Sequence, residues 1–243
     1  MMRRVNTLMA TLLCFAGPAL AAEPMSPPGR QASDFPKPDR PVAEIISPTW
    51  ATERERDAVD EAGQVIRLLG IGPGMQVADL GAGSGYYTVR LGRLLGPAGR
   101  VFAEDITPTY LRDLDARIAR EKLTNVTVVA GEDHDPRLPP ASVDVAILIH
   151  MYHEIAQPFG LLHNLVPALR PGGRLGIVDL DRRPENHGTP RALLRCELER
   201  AGFRPTGFHQ LKNDPAYLAI FDPPRAEDRP DPRTIAPCSA GRR

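Results

Sequence analysis

Short apolar runs alternate with segments of helical spacing along the central part of the chain. The runs that predict buried strands are rich in Val, Ile, Leu and Ala, as is typical of parallel strands covered on both faces, and they occupy residues 77–80, 100–105, 126–130, 144–149 and 174–179. Helical spacing begins at residues 50, 87, 108, 158 and 194. Two last strands, residues 203–211 and 216–221, are joined by four residues, and so short a connection predicts an antiparallel hairpin. This order predicts an α/β fold.

A glycine-rich loop follows the first strand. Gly81, Gly83 and Gly85 stand at alternate positions before a helix begins. Glycine allows positive φ and lets a ligand lie against the backbone, and the start of a helix leaves N–H groups free to bind it. An acid, Asp79, precedes the loop by two positions. It would oppose the pyrophosphate of a dinucleotide and suits a ligand with a cationic group.

The segment D-L-G-A-G-S-G, residues 79–85, closely resembles the first motif of class I S-adenosylmethionine-dependent methyltransferases. The segment L-R-P-G-G-R-L, residues 169–175, resembles a turn of the same family. The resemblance implies a Rossmann-like, doubly wound, seven-stranded and mostly parallel sheet with a C-terminal antiparallel hairpin, in one domain over residues 49–223. It also implies S-adenosyl-L-methionine as the cofactor and methyl transfer to an acceptor.

Two other classes of function stay open. One is an NAD(P)-dependent oxidoreductase, which Asp79, the ending Gly85-Tyr86 and the terminal hairpin disfavour. The other is a cofactor-binding module without transfer activity. For the acceptor, a small molecule is the default, and a protein carboxylate is the next choice. Basic and acidic residues balance at 30 each, so we expect no binding to nucleic acid and, once a signal peptide is removed, none to membranes.

The residues expected to hold the cofactor lie at the ends of the first three strands. Asp105 ends the second strand, where a carboxylate matches the two hydroxyls of a ribose, and Glu104 is the adjacent candidate. By the resemblance, Asp133 meets the adenine amino group, with Glu132 in reserve; a solvated acidic loop is the alternative. The full expected set is Asp79, Gly81, Ala82, Gly83, Gly85, Tyr86, Asp105, Ile106, Glu132 and Asp133. Trp50, Arg54 and Arg56 could line the pocket entrance or be an ordinary helix start.

The fourth strand is followed by His150-Met151-Tyr152-His153-Glu154, on the crevice side of such a sheet. The family places groups beside the transferable methyl here, so the substrate-side candidates are Tyr152, His153 and Glu154. A histidine can deprotonate an acceptor hydroxyl or amine, and His153 is the candidate base.

The spacing His150-x-x-His153 also raises the question of a metal. Two ligands without a clear third are weak evidence, although Asp179 and Asp181 lie at the end of the next strand. We therefore expect no metal, and local hydrogen bonding for His150.

Residues 1–22 read as a secretory signal peptide, with two arginines, an apolar core too short to span a membrane and the small-x-small site Ala19-Leu20-Ala21. An uncleaved anchor is the alternative. We expect a periplasmic or secreted protein. Residues 23–48 form a Pro-rich, extended linker without a core of its own, and residues 224–243 form a disordered tail. Cys196 and Cys238 could pair in an oxidising compartment or remain free thiols.

Overall fold

A computed structural model describes residues 22–45 and 52–239. Seven strands form one sheet in the order β3-β2-β1-β4-β5-β7-β6. Their bounds are β1 Gln76–Leu80, β2 Arg100–Asp105, β3 Val126–Ala130, β4 Val143–Ile149, β5 Leu169–Leu180, β6 Arg204–Gln210 and β7 Ala216–Asp222. Neighbouring strands are parallel except around β7, which is antiparallel to both β5 and β6. The structure thus confirms the predicted mostly parallel sheet with its C-terminal hairpin.

Helices cover both faces of this sheet. They are α1 Glu53–Ala58, α2 Glu61–Leu68, α3 Tyr86–Leu95, α4 Pro108–Arg120, α5 Pro158–Leu165 and α6 Arg191–Arg200. Leucines of α3 and α4 belong to the core on one face, whereas apolar residues of α5 and α6 belong to the core on the other. The central strand β4 contributes to both cores because its successive side chains, Val145 to Leu148, alternate between faces and are fully buried.

The predicted first helix is two helices in the structure. Thr52 caps α1 by accepting a hydrogen bond from the Glu55 N–H, at 3.2 Å. Asp60 then adopts a left-handed backbone, with φ of 53°, which an α-helix does not tolerate. Its carboxylate binds Arg67 at 2.7 Å, on the surface of α2. Helical spacing continued across the break, so the sequence pattern alone predicted a single helix.

Residues 22–45, which we call the N-terminal segment, run extended over the domain with one short 3-10 turn. The segment has no core of its own. It adds Phe35 to the core beneath it and buries Arg40 in an ion pair with Glu197 of α6, at 3.0 Å. The Ala43 N–H donates to the carbonyl of His153, at 3.0 Å. These contacts attach the segment to the domain although the sequence predicted only a linker.

Residues 224–239 follow a defined path instead of the expected disorder. Two 3-10 turns, Ala226–Asp228 and Pro232–Thr234, divide them, and Ile235 packs into the core. Cys238 is buried and forms a disulfide with Cys196 of α6, across a Cα–Cα distance of 6.1 Å. The apolar contact and the disulfide together order this Pro- and Arg-rich segment.

Residues 1–21, which include nearly all of the expected signal peptide, lie outside the described residues, as does Trp50. Within the described ranges, none of the helices combines the length and the apolar character that crossing a membrane requires.

Candidate functional site

A cavity of about 400 Å³ opens at the carboxyl ends of β1, β2 and β4. This is the end of a doubly wound sheet at which ligands bind. Every residue expected to hold the cofactor lines the cavity except Gly85, and of the substrate-side candidates His153 and Glu154 line it. Ile45 of the N-terminal segment also reaches its wall.

The loop of residues 81–85 is held open by the acids of β2. Asp105 Oδ2 accepts a hydrogen bond from the Gly83 N–H at 2.9 Å, and Glu104 Oε2 accepts from the Gly81 N–H at 3.3 Å. Gly81 has a φ of 66°, and a Cβ there would lie 2.9 Å from the methyl carbon of Met151. The loop therefore keeps bare backbone against the cavity for a steric reason.

Gly85 has a packing role rather than a place on the cavity wall. It is the left-handed N-cap residue of α3, with φ of 85°, and a Cβ would lie 2.5 Å from Leu114 of α4. The missing side chain allows α3 and α4 to approach. The sequence predicted that Gly85 contacts the cofactor, and the structure instead gives it a packing role.

Three buried carboxyl groups, Asp79, Glu104 and Asp105, form an acidic cluster at the base of the cavity. Burial raises the pKa of Asp79 to about 6, although a 2.6 Å hydrogen bond from the Thr88 hydroxyl opposes the rise. Burial, together with the charge of Asp105, raises the pKa of Glu104 well above its usual range. Desolvated acids resist ionisation unless a cation is near. The cluster therefore favours a cationic ligand over a pyrophosphate.

Just after β3, Glu132 and Asp133 also line the cavity. Glu132 forms an ion pair with Arg137, and Asp133 Oδ1 lies 2.8 Å from the His134 Nδ1. Both acids are therefore held by partners from their own loop while they line the cavity.

A second buried network surrounds Glu61, and no sequence pattern indicated it. Glu61 is fully buried and accepts hydrogen bonds from Arg56 Nη2 at 2.6 Å and the Tyr87 hydroxyl at 2.8 Å, and its Oε2 lies 2.9 Å from His150 Nε2. Burial alone would raise the pKa of Glu61, but His150 and Arg56 lower it to about 2. Arg56 also stacks over the Tyr86 ring, 4.1 Å from its centroid.

Of the two arginines proposed for the pocket entrance, Arg56 lines the cavity, and Arg54 is exposed and does not. The sequence predicted a local hydrogen bond for His150, but the partner of its Nε2 is Glu61 of α2. No sequence signal pairs these residues, since 89 positions separate Glu61 from His150.

His153 is oriented by Asp179, at the end of β5. The His153 Nδ1 lies 3.1 Å from both carboxylate oxygens of Asp179. Asp179 is fully buried and also accepts from the Thr189 hydroxyl at 2.6 Å and from the Leu180 N–H at 2.8 Å. Because a carboxylate with these donors accepts from Nδ1–H, the lone pair of the imidazole lies on Nε2.

Tyr152 does not reach the cavity. Its side chain is fully buried, and the guanidinium of Arg40 lies 5.4 Å from its ring centroid. Burial, with the charge of Glu197, raises the pKa of Tyr152 well above its usual range. Consecutive residues of the 3-10 turn Tyr152–Glu154 point in different directions, so His153 and Glu154 face the cavity and Tyr152 faces the N-terminal segment. Tyr152 therefore has a packing role beneath the site, and the prediction that it lies beside the substrate is wrong.

The chain is similar to known methyltransferases in sequence and in fold. Residues 78–175 match the family model described as "Methyltransferase domain". The ubiquinone/menaquinone biosynthesis C-methyltransferase UbiE of Pasteurella multocida is 29% identical over 119 residues, which cover 46% of this chain and 42% of the relative. The protein of the same name from Ectopseudomonas mendocina is 26% identical over 150 residues, covering 61% and 57%. The chain spans about half the length of the curated relatives it matches.

A solved S-adenosylmethionine-dependent methyltransferase from Aquifex aeolicus superposes with a TM-score of 0.62. It is 22% identical, and the match covers 71% of this chain and 98% of that one. Residues 78–175 therefore carry a methyltransferase domain, and the chain has the fold of a solved S-adenosylmethionine-dependent methyltransferase. The cofactor of this domain is S-adenosylmethionine.

The residues of the methyltransferase domain fit this cofactor. S-adenosylmethionine carries a positive sulfonium and an ammonium, and the acidic cluster supplies the opposite charge. The bare loop at Gly81 and Gly83 gives room for a ligand against the backbone. Asp105 stands at the end of β2, where an acid can accept both ribose hydroxyls. Ile106, which is 44% exposed, offers an apolar surface at the same edge.

Proposed function

We propose that the protein moves the methyl group of S-adenosylmethionine to a small-molecule acceptor. The observation that supports this proposal is that one cavity joins the acidic cluster and the glycine loop on one side to the His153 Nε2 on the other. The sulfonium already activates the methyl group. The protein must therefore chiefly place the acceptor in line with the breaking carbon–sulfur bond.

We propose His153 as the residue that activates the acceptor. Asp179 fixes its tautomer and its orientation, and Nε2 is the ring atom left to act on an acceptor. Glu154 lies beside it, with Oε1 3.9 Å from the His153 Nε2. The sequence also named Tyr152 for this role, and its burial away from the cavity removes it from the proposal.

A second candidate reaction is methylation of a carbon atom. The support is the name of the relatives, which are C-methyltransferases of ubiquinone and menaquinone biosynthesis. Because those relatives match only in part, carbon acceptors such as electron-rich phenols and quinols belong in the test beside oxygen, nitrogen and sulfur acceptors.

The direct test is transfer of a radioactive methyl group. The chain from Glu23 onward is incubated with methyl-labelled S-adenosylmethionine and a bacterial small-molecule extract, then with pure hydroxy, amino, thiol and phenol compounds. We expect label in the small-molecule fraction, with Asp105→Ala inactive and the surface variant Asp222→Ala active. Label only in precipitated protein would indicate a protein carboxylate acceptor. Cofactor binding without any transfer would indicate a binding module.

We further propose that the protein acts in the periplasm or outside the cell. The support is the signal-like sequence of residues 1–22 and the pairing of Cys196 with Cys238, since disulfides persist in oxidising compartments. Periplasmic fractionation of the full chain, followed by mass spectrometry of its N-terminus, tests this. A first residue at Ala22 or Glu23 would support export with cleavage, and an intact Met1 in the cytosol would contradict it.

A further inference from the structure

Three potential metal ligands meet on the acceptor side of the cavity. They are His153 and Glu154, just after β4, and His187, on the loop that follows β5. One ligand atom from each lies within 4.8 Å of the others, and all three residues line the cavity. The two imidazole rings stand nearly perpendicular, at 79°, with centroids 5.6 Å apart.

The contacts behind His153 suit a metal ligand. A histidine that binds a metal usually donates its other N–H to a carboxylate, which fixes the ring and makes the ligating nitrogen more basic. His153 makes this contact to Asp179 at 3.1 Å, and the buried Thr189 and the Leu180 N–H hold Asp179 in place. The His153 Nε2 is then the ligating atom.

His187 supplies an independent observation. Its Nδ1 is buried and has no hydrogen-bond partner within residues 22–45 and 52–239. A buried nitrogen without a partner loses its hydration without compensation. A cation bound at this nitrogen would remove that penalty. His187 also has a φ of 55°, so its backbone is held in an unfavourable conformation beside His153.

We propose that His153, Glu154 and His187 bind one divalent transition-metal ion. Two imidazoles and one carboxylate suit Zn²⁺, Mn²⁺, Fe²⁺ or Co²⁺, whereas Mg²⁺ and Ca²⁺ prefer oxygen ligands. Three protein ligands leave coordination positions open, as catalytic sites do. The third ligand that the sequence lacked is His187. Asp179 instead supports His153, and Asp181 is half exposed and paired with Arg191 at 3.3 Å.

The site narrows the acceptor to compounds whose attacking atom can bind the ion and lose a proton there, such as a hydroxyl or a thiol group, and this step rests on the proposed methyl transfer. A hydroxyl oxygen that binds the ion loses its proton to water more readily than a free one. Its lone pair then forms the bond to the methyl carbon while the carbon–sulfur bond breaks. The sulfur keeps the electron pair and leaves as the neutral thioether. His153 activates the acceptor through the ion in this account, and it does not itself receive the proton.

Cobalt binding tests the site without any acceptor. The chain from Glu23 onward is stripped with EDTA, dialysed and titrated with Co²⁺, and both the visible absorption of the ion and equilibrium dialysis are recorded. We expect one Co²⁺ per chain with micromolar affinity and bands of a nitrogen- and oxygen-ligated ion. His187→Ala and Glu154→Gln should each weaken binding at least about tenfold. His209→Ala is the matched control, because His209 lies on β6 and does not line the cavity, and it should bind as the native chain does.

Two results would overturn the metal site. One is absence of Co²⁺, Zn²⁺ and Mn²⁺ binding to a native chain that is folded by circular dichroism. The other is binding that His187→Ala and Glu154→Gln leave unchanged while both variants melt as the native chain does, which would mean an adventitious ion elsewhere. Titration of the same native sample with S-adenosylhomocysteine separates the two proposals. If that compound binds and the metals do not, only the metal site fails.

Discussion

At the residue scale, Asp79 decides which charge the cavity favours. Its side chain is almost fully buried and holds the Thr88 hydroxyl at 2.6 Å, and burial raises its pKa to about 6. Below that pH the free protein carries a proton on Asp79, and the carboxyl group offers no charge to an ammonium. A cationic ligand must displace this proton when it binds. Affinity for the cofactor should therefore increase as the pH rises towards 6 and level off above it.

This coupling gives a pH prediction for cofactor binding. Between pH 6 and pH 5, the affinity for S-adenosylhomocysteine should fall by up to about tenfold, since each pH unit below the pKa costs at most about 1.4 kcal/mol. Calorimetric titration at several pH values measures it. Asp79→Asn, which cannot ionise, should bind more weakly at pH 7 and show a flatter profile. An unchanged profile in Asp79→Asn would assign the pH dependence to another group.

The sequence correctly predicted the position of those site residues that lie at the carboxyl ends of parallel strands. Asp79 and Asp105 lie at the cavity because parallel strands bring their carboxyl ends to one edge of the sheet. Tyr152 and His153 both follow β4, so the position of the strand end does not predict which of the two faces the cavity. The Tyr152 side chain packs beside Arg40, which donates to the Tyr152 carbonyl from 112 positions away, and no local pattern reports such a partner.

At the element scale, the N-terminal segment depends on one buried ion pair. The side chains of Arg40 and Glu197 are both fully buried, with Arg40 Nε 3.0 Å from the Glu197 carboxylate. Arg40 also donates to the carbonyls of Tyr152 and His153, at 3.2 and 3.3 Å. The pair thus connects the N-terminal segment, α6 and the turn that carries His153.

Removing one member of this pair should be costly. Arg40→Met leaves Glu197 buried without a partner, and we expect the free energy of unfolding to fall by about 3–5 kcal/mol. The double variant Arg40→Met/Glu197→Met should recover much of the loss, because no uncompensated charge remains. Urea unfolding of both variants measures this. The exposed pair of Arg67 with Asp60 is the control, and Arg67→Ala should cost less than about 1 kcal/mol. A loss for Arg40→Met as small as that of the control would contradict the account.

Most elements could be predicted from their own residues. The strands follow their apolar runs, and the hairpin of β6 and β7 follows from the short connection between two such runs. The break at Asp60 and the course of residues 22–45 could not be read in this way. Both depend on partners distant in the chain, such as Glu197 for Arg40, while their own sequences look like a continuous helix and a linker.

At the scale of the whole molecule, the disulfide between Cys196 and Cys238 attaches residues 224–239 to α6. It closes a loop of 42 positions, and such a crosslink typically stabilises a protein by about 2–4 kcal/mol. Reductant should therefore lower the melting temperature of the native chain and have no effect on Cys196→Ala/Cys238→Ala. A melting temperature that reductant leaves unchanged would indicate that the two thiols are unpaired.

The same disulfide also predicts in which cellular compartment the protein is found. The paired state is stable where thiols are oxidised. After unfolding, Cys196 and Cys238 should therefore resist alkylation in protein from a periplasmic fraction and should both be alkylated in cytosolic protein. Thiol alkylation followed by mass spectrometry distinguishes the two fractions. If both thiols are free in periplasmic protein, the disulfide no longer supports the proposal of export.

The cofactor is the claim on which the account of this domain rests. Calorimetric titration of the chain from Glu23 onward with S-adenosylhomocysteine, and separately with NAD and NADP, tests it most directly. We expect one micromolar site for S-adenosylhomocysteine that Asp105→Ala abolishes, and no site for either nicotinamide cofactor. Binding of a nicotinamide cofactor alone, or of none of the three by a folded chain, would contradict it.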